Sequence, residues 1–199
     1  MPRKGPHDTW ELDESQLGAP PSILASAGRM NPVGISYFYG AFVPGTAVAE
    51  VVQRPPTAVG LGAFLASRPL HVVDLTKIPP LPSVFDGEQR DAREAILFLR
   101  EFTRQISQPV QKNGMEHIEY LPSQVVCEYL AQVFNTDGKG SRLDGIVYPS
   151  AMKQGFTNIV LFPTELSCKY RFDGLKFVGA KIIDLNNWDK ITHALAMRS

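Results

Sequence analysis

The chain has 199 residues, with 20 lysines and arginines against 20 aspartates and glutamates, and 44% of it is hydrophobic. A net charge of zero argues against a general nucleic-acid or membrane-surface binder, which carries a basic bias, and no apolar run reaches the ~20 residues that cross a bilayer. Residues 1–7 lack the apolar segment of a secretory signal, and Cys127 and Cys168 form no metal-ligand spacing, so a reducing, cytoplasmic setting is expected for a chain long enough to bury one sizeable core.

In chain order, residues 1–17 read as a polar N-terminal arm, and Pro20 with Pro21 begins an extended approach to a tight loop at Gly28 and Arg29. From 28 to 50 the pattern is loop, strand, turn and helix. The strand puts Ile35, Tyr37 and Tyr39 on one face and Ser36 and Phe38 on the other. Thr46, after Pro44 and Gly45, is the expected N-cap of the helix, with Glu50 one turn in. A guanidinium, phenols and a carboxylate therefore stand at the two ends of one short unit. Residues 57–67 form an apolar, strand-like run whose Gly60-Leu61-Gly62 is too short for a phosphate loop. Residues 70–75, rich in β-branched side chains, predict a strand that carries His71.

Between 86 and 107 apolar residues at 92, 95, 96, 99, 102 and 106 draw one helical stripe, with acidic residues crowding its start. A second helix follows Pro122, with Ser123 as its cap and Val125, Val126, Tyr129, Leu130 and Val133 on the expected buried side. Cys127, in the same apolar stretch, reads as a buried, inert thiol. The loop 135–141 contains Gly138-Lys139-Gly140-Ser141, which lacks the earlier glycine of a phosphate-binding loop. Residues 145–148 and 157–162 predict strands, 170–172 and 177–183 predict the last one or two, and 188–197 a short closing helix. Strands interrupted by three helices give a mixed α+β class.

Three segments, taken together and in order, resemble the RES family, named for its arginine, glutamate and serine. The first is Gly28-Arg29-Met30-Asn31-Pro32-Val33-Gly34. Tyr39 then follows Arg29 by ten residues and Glu50 by twenty-one. The third is Asp144-Gly145-Ile146-Val147-Tyr148-Pro149-Ser150, with Gly155 and Asn158-Ile159-Val160-Leu161-Phe162 behind it. Tyr120-Leu121-Pro122-Ser123-Gln124 is also similar to the helix start of the branch in which the RES region follows an HEPN-type N-terminal region. Met30 departs from the family's commoner aromatic. The upstream strand with an arginine pair that relatives carry has at most residues 1–5 as its equivalent here.

The resemblance, spanning about residues 18–165, implies an ADP-ribosyltransferase-like mixed β core with inserted helices, the catalytic domain being 18–199. It implies an enzyme that degrades NAD by breaking the nicotinamide–ribose bond, with water or phosphate as acceptor and no cofactor beyond NAD itself as substrate. Relatives are bacterial toxins, encoded beside an antitoxin with an Xre-type DNA-binding domain. Carried over residue by residue, Arg29 suits the pyrophosphate through its planar fork of donors. Glu50 suits the ribose hydroxyls and the developing cation, and Tyr39 offers a face to nicotinamide or a hydroxyl to ribose. Ser150 can hydrogen-bond ribose or phosphate, while Asn158 braces the Ser150 loop within the same NAD-binding set. Two other readings share these residues: a catalytically silent interaction module on a shortened RES fold, and transfer of ADP-ribose to a protein.

Overall fold

The computed structural model describes residues 12–52, 58–108, 116–135, 142–165, 167 and 171–185. Its architecture is α+β. The helices are α1 (Glu14–Leu17), α2 (Pro44–Val51), α3 (Arg90–Ile106), α4 (Glu116–Glu119) and α5 (Leu121–Gln132). The strands are β1 (Phe38–Ala41), β2 (Ala58–Ala66), β3 (Val72–Asp74), β4 (Gly145–Pro149), β5 (Thr157–Leu161) and β6 (Leu175–Asp184). They form a four-stranded sheet in the order β1-β5-β4-β3 and a two-stranded sheet of β2 and β6. Only the β3–β4 pairing is parallel; β1–β5, β4–β5 and β2–β6 are antiparallel.

Strand alternation sorts the side chains of the four-stranded sheet between two cores. Ile146 and Tyr148 of β4 and Val160 of β5 point to one face, where they meet Phe102 and Ile106 of α3 and Cys127 and Ala131 of α5. Phe38 and Leu161 point to the other, where they join Phe172 and the edge of Phe64. A third cluster, Val48, Val59, Ile183 and Leu185, seats α2 against β2 and β6. The molecule is therefore layered: helices α3 and α5, the mixed sheet, then the small sheet.

Several expectations from periodicity are met in place. The run at 57–67 is β2, and the stripe at 86–107 becomes one 3-10 turn leading into α3. Gly60 and Gly62 are not part of a phosphate loop; a Cβ on either would press on Leu12 or Leu17, which lie against β2. Other expectations need correcting. Helix α2 starts at Pro44 with Val43 as its N-cap, so Thr46 lies inside the first turn and is fully buried. The strand expected around Ile35–Tyr39 begins only at Phe38, because backbone pairing with β5 starts there. In α5 the expected side is met in part: Val126 and Leu130 pack against the core and Ser123, Gln124, Cys127 and Ala131 are buried, while Val125, Tyr129 and Val133 face outward. The closing helix at 188–197, the strand residues before Arg171, Cys168 and the loop glycines of 136–141 lie outside the described residues.

One aspartate closes four chain ends at the far side of the sheet. Asp144 grips Arg68 through two bonds, Nη2 to Oδ1 at 2.6 Å and Nη1 to Oδ2 at 3.1 Å. Its Oδ2 also accepts the His71 N–H at 2.7 Å, and its carbonyl accepts that of Phe162 at 2.8 Å. Arg68 reaches Asp173 as well, at 3.1 Å. Burial pulls the Asp144 carboxyl up, but Arg68 and the His71 N–H outweigh it and hold the group below its ordinary value. A carboxylate depressed in the folded state stabilises above its unfolded pKa and loses that contribution as pH falls through the folded one. Asp144→Asn is expected to cost about 1–2 kcal/mol at neutral pH, the half-exposed Arg68 screening the loss. Urea melts from pH 7 to pH 3 should show the wild type losing its advantage over the variant as acid is added; a constant gap would show that the charge is irrelevant.

Candidate active site

Two loops, two strands and helix α2 bring the predicted residues to the helix-facing side of the four-stranded sheet. In register, Tyr39 of β1 lies beside Val160 of β5, which lies beside Ile146 of β4. In the next row of the same face, Ala41, Asn158 and Tyr148 are neighbours. Helix α2 leaves the end of β1 and returns across β5, which carries Glu50 back over that row.

Glu50 is held there by two donors distant in sequence. Ser150 Oγ donates to its Oε1 at 2.5 Å, and Asn158 Nδ2 donates to the same oxygen at 2.8 Å. Ser150 is itself fixed, accepting the backbone N–H groups of Met152 and Lys153 at 3.2 and 3.1 Å. Asn158 is buried, and its Oδ1 has no hydrogen-bond partner. Below this clamp sits the buried Tyr148. Burial chiefly, then the negative charge of Glu50 and the neighbouring Cys127, push its phenol up, while the Asn158 amide and the positive charge of Arg29 pull the other way. The net direction is upward, so Tyr148 stays a neutral phenol.

Arg29 is reached by a loop that the sheet and α5 build jointly. Asn31 is 4% exposed, and its Nδ2 shares two hydrogens among the carbonyls of Ser26, Pro32 and Ile35 at 3.0, 3.1 and 3.0 Å. Its Oδ1 accepts the Tyr39 hydroxyl at 2.8 Å. From the inner face of α5, Gln124 Nε2 donates to the carbonyls of Gly28 and Asn31 at 2.8 and 3.1 Å, and Ser123 Oγ donates to that of Arg29 at 2.5 Å. Gly28 is required by close approach: a Cβ would fall 2.4 Å from Asn31 Oδ1 and 3.1 Å from the Tyr39 hydroxyl. The Arg29 guanidinium then lies 4.9 Å from the centre of the Tyr120 ring, and its Nη1 donates to the Gln105 carbonyl at 2.9 Å. That carbonyl belongs to the last turn of α3, where a cation also meets the negative end of the helix dipole.

Tyr39 keeps 44% of its surface exposed although its hydroxyl is tucked onto Asn31. Burial of that hydroxyl, then the neighbouring Tyr148 and Cys127, push its pKa up, against a smaller opposing effect of the Met30 N–H. It too remains protonated. A recess of about 210 Å³ opens beside it, between the Gly28 loop, Ser36 and Tyr37. That is room for a ring-sized group and less than the ~300–1,000 Å³ of sites that enclose a whole drug-sized ligand. Tyr37, by contrast, is buried against Phe162, and its hydroxyl donates to Glu128 at 2.6 Å, a packing role.

All five sequence-predicted residues thus converge on one face, Glu50 with Ser150 and Asn158 in direct contact and Arg29 and Tyr39 on the Asn31 loop. Asn158 bonds Glu50 itself rather than only bracing the turn after β4. Tyr148, Asn31 and Gln124 carry no role in the sequence reading. Ser123, expected to cap the second helix, lies inside α5, whose N-cap is Tyr120, and donates to the Arg29 carbonyl instead.

The sequence profile of the RES domain matches residues 6–172 of the chain. No curated protein and no solved structure matches it.

The Asn31 network makes a stability prediction independent of any ligand. Asn31→Ala leaves the carbonyls of Ser26, Pro32 and Ile35 and the Tyr39 hydroxyl without partners and should cost about 2–4 kcal/mol. Gly28→Ala should lower the melting temperature in the same direction, because the amide it strikes is pinned on every side. Thermal and urea melts of both variants read this; wild-type stability in Asn31→Ala would remove the hub from the account.

Proposed function

The chain belongs to the RES family, and from that premise we propose that it is an NAD-degrading enzyme that cleaves the nicotinamide–ribose bond. The observation that supports this reading most is the Glu50 clamp. A carboxylate held on one oxygen by Ser150 and Asn158 is oriented without being neutralised, since both partners are uncharged. Such a group is suited to facing developing positive charge. The buried Asn158 Oδ1 beside it offers an acceptor to a hydroxyl-rich ligand such as ribose.

Breaking the N-glycosidic bond passes through a cation-like ribose, as glycoside hydrolysis does. The bond between the ribose anomeric carbon and the pyridinium nitrogen breaks, and its electron pair returns to that nitrogen. Nicotinamide therefore leaves as a neutral molecule, and no general acid is needed. This fits a site whose nearest phenols, Tyr39 and Tyr148, are held protonated and whose one clamped carboxylate is Glu50. An oxygen of water or of phosphate then bonds to the anomeric carbon and releases its proton to solvent. Arg29, anchored on the end of α3, supplies the cation for the pyrophosphate. The exposed face of Tyr39 and the recess beside it suit the nicotinamide ring. Water, phosphate and a protein side chain share this donor site and differ only in the acceptor. On the same reading the activity is that of a bacterial toxin restrained by an antitoxin with an Xre-type domain.

Purified protein incubated with NAD should release nicotinamide, measured by chromatography with and without phosphate. ADP-ribose as the product indicates water as acceptor, and ADP-ribose 1″-phosphate indicates phosphate. Glu50→Gln is expected to reduce turnover ~10²–10³-fold, the scale of losing one preorganised electrostatic group. Ser150→Ala should reduce it by about tenfold by loosening that carboxylate. Arg29→Lys keeps the charge but loses the fork and should raise KM more than it lowers kcat. Folded protein that leaves NAD intact in both buffers would refute the proposal.

A further inference from the structure

Beyond β4 the chain makes one tight turn and comes back as β5, and a lysine stands in that turn. The ladder of the two strands runs one step past Pro149 and Thr157, because the Ser150 N–H donates to the Phe156 carbonyl at 2.9 Å. Phe156 therefore lies opposite Ser150 and, by alternation, on the face that carries Tyr148, Ser150 and Asn158. Lys153 Nζ sits 4.1 Å from the centre of the Phe156 ring, close enough for the ring's π face to hold a cation. The backbone of Lys153 is fixed as well: its N–H donates to Ser150 Oγ at 3.1 Å, and its carbonyl accepts the Phe156 N–H at 3.2 Å. Backbone and ammonium are thus tied to Ser150, which holds Glu50, and to the residue across the ladder from it. Lys153 and Phe156 are both half-buried, and the ammonium pairs with no carboxylate among the described residues. The ring holds the charge in place without neutralising it.

We propose that Lys153 binds inorganic phosphate beside Glu50 and so selects phosphate over water as the acceptor, a role that rests on the NAD-cleaving reading and names the second substrate of that site. The reason is electrostatic. The Glu50 carboxylate is oriented by two neutral donors and repels an incoming anion with its full charge. Water meets no such repulsion and needs no cation. Phosphate, an anion at neutral pH, needs one close to the carboxylate. Arg29 is tied to the end of α3 and is given to the pyrophosphate of NAD, whereas Lys153 belongs to the turn that holds Ser150. A compact ammonium on a flexible stem also suits an anion that must enter, react and leave in the product, where a planar fork would clamp it. A phosphate oxygen supplies the electron pair of the new bond to the anomeric carbon, while the pair of the broken carbon–nitrogen bond leaves with nicotinamide. Any proton left on the phosphate passes to solvent. The product is ADP-ribose 1″-phosphate.

Lys153→Met keeps most of the stem and removes the charge, and Lys153→Arg keeps a cation. With NAD and a fixed concentration of inorganic phosphate, the ratio of ADP-ribose 1″-phosphate to ADP-ribose should fall about tenfold in Lys153→Met, the scale of losing one charged hydrogen-bond donor. Lys153→Arg should recover much of it, and Lys181→Met, an exposed lysine of β6, should match the wild type. A purely structural lysine would not move this ratio. A wild type that yields ADP-ribose alone at every phosphate concentration overturns the proposal while leaving NAD cleavage intact. So does an unchanged ratio in Lys153→Met, including one accompanied by weaker NAD binding, which would assign Lys153 to the pyrophosphate. If the wild type leaves NAD intact, the phosphorus NMR signal of inorganic phosphate decides. Broadening by the wild type and not by Lys153→Met upholds the phosphate site while the NAD reading falls; equal broadening, or none, overturns both.

Discussion

The buried carboxamide of Asn31 is the constraint on which the candidate site depends. It draws three carbonyls of the 26–35 loop inward with its amide nitrogen and takes the Tyr39 hydroxyl on its oxygen. A loop folded around one side chain in this way needs no secondary structure of its own to satisfy its backbone. It also transmits position, because Tyr39 belongs to β1 and the loop carries Arg29. The sheet and the guanidinium are thereby placed relative to each other by one group. The close approach at Gly28 follows directly: no side chain fits where Asn31 and Tyr39 meet.

The two charged residues are held by different means, and the difference matters chemically. Arg29 donates to a helix-terminal carbonyl and lies over an aromatic face. Glu50 is anchored by a hydroxyl and an amide, without a countercharge. By contrast Asp144, which serves the fold, is neutralised by the two-bond grip of Arg68. Asp144 is thus bound to a charged group that serves the fold, while Glu50 is oriented by two neutral donors. Orienting dipoles before a ligand arrives is the arrangement that lets an electrostatic site act without reorganising. Tyr148, opposite Asn158 in register and held as a neutral phenol, adds no charge to such a site.

Much of this was legible in the residues, for reasons that can be named. Strands β2, β4 and β5 and helix α3 were evident because each carries its own period or β-branched run, independent of the rest of the chain. The site residues were legible only through the family pattern: nothing local in Ser150 or Glu50 announces that they touch across a hundred residues. The start of α2 was misjudged because a threonine after Pro-Gly is a good cap in isolation, yet Pro44 already fits the first helical position and the buried Thr46 continues the turn. Tyr148 stayed unassigned because a tyrosine in a strand reads as packing until its cross-strand neighbour, Asn158, is known to hold a carboxylate.

Helix α5 met its expected face only in part, with Val126 and Leu130 on the core and Val125, Tyr129 and Val133 outside. Helical periodicity assigns the apolar ridge to the interior because burying it is favourable, and that inference assumes the interior has only apolar surface to offer. Here the opposing surface is the 28–31 loop, whose carbonyls require donors. Leaving two or three of them unpaired would cost about 1–3 kcal/mol for each buried polar group, so the face of α5 that meets the loop has to supply donors. Ser123 and Gln124 therefore take the inner positions, with Cys127 and Ala131, small enough to pack closely, completing the same face. The geometry of the arginine loop thus determines what α5 shows to the outside. The apolar ridge is the complement of the polar face that the site requires.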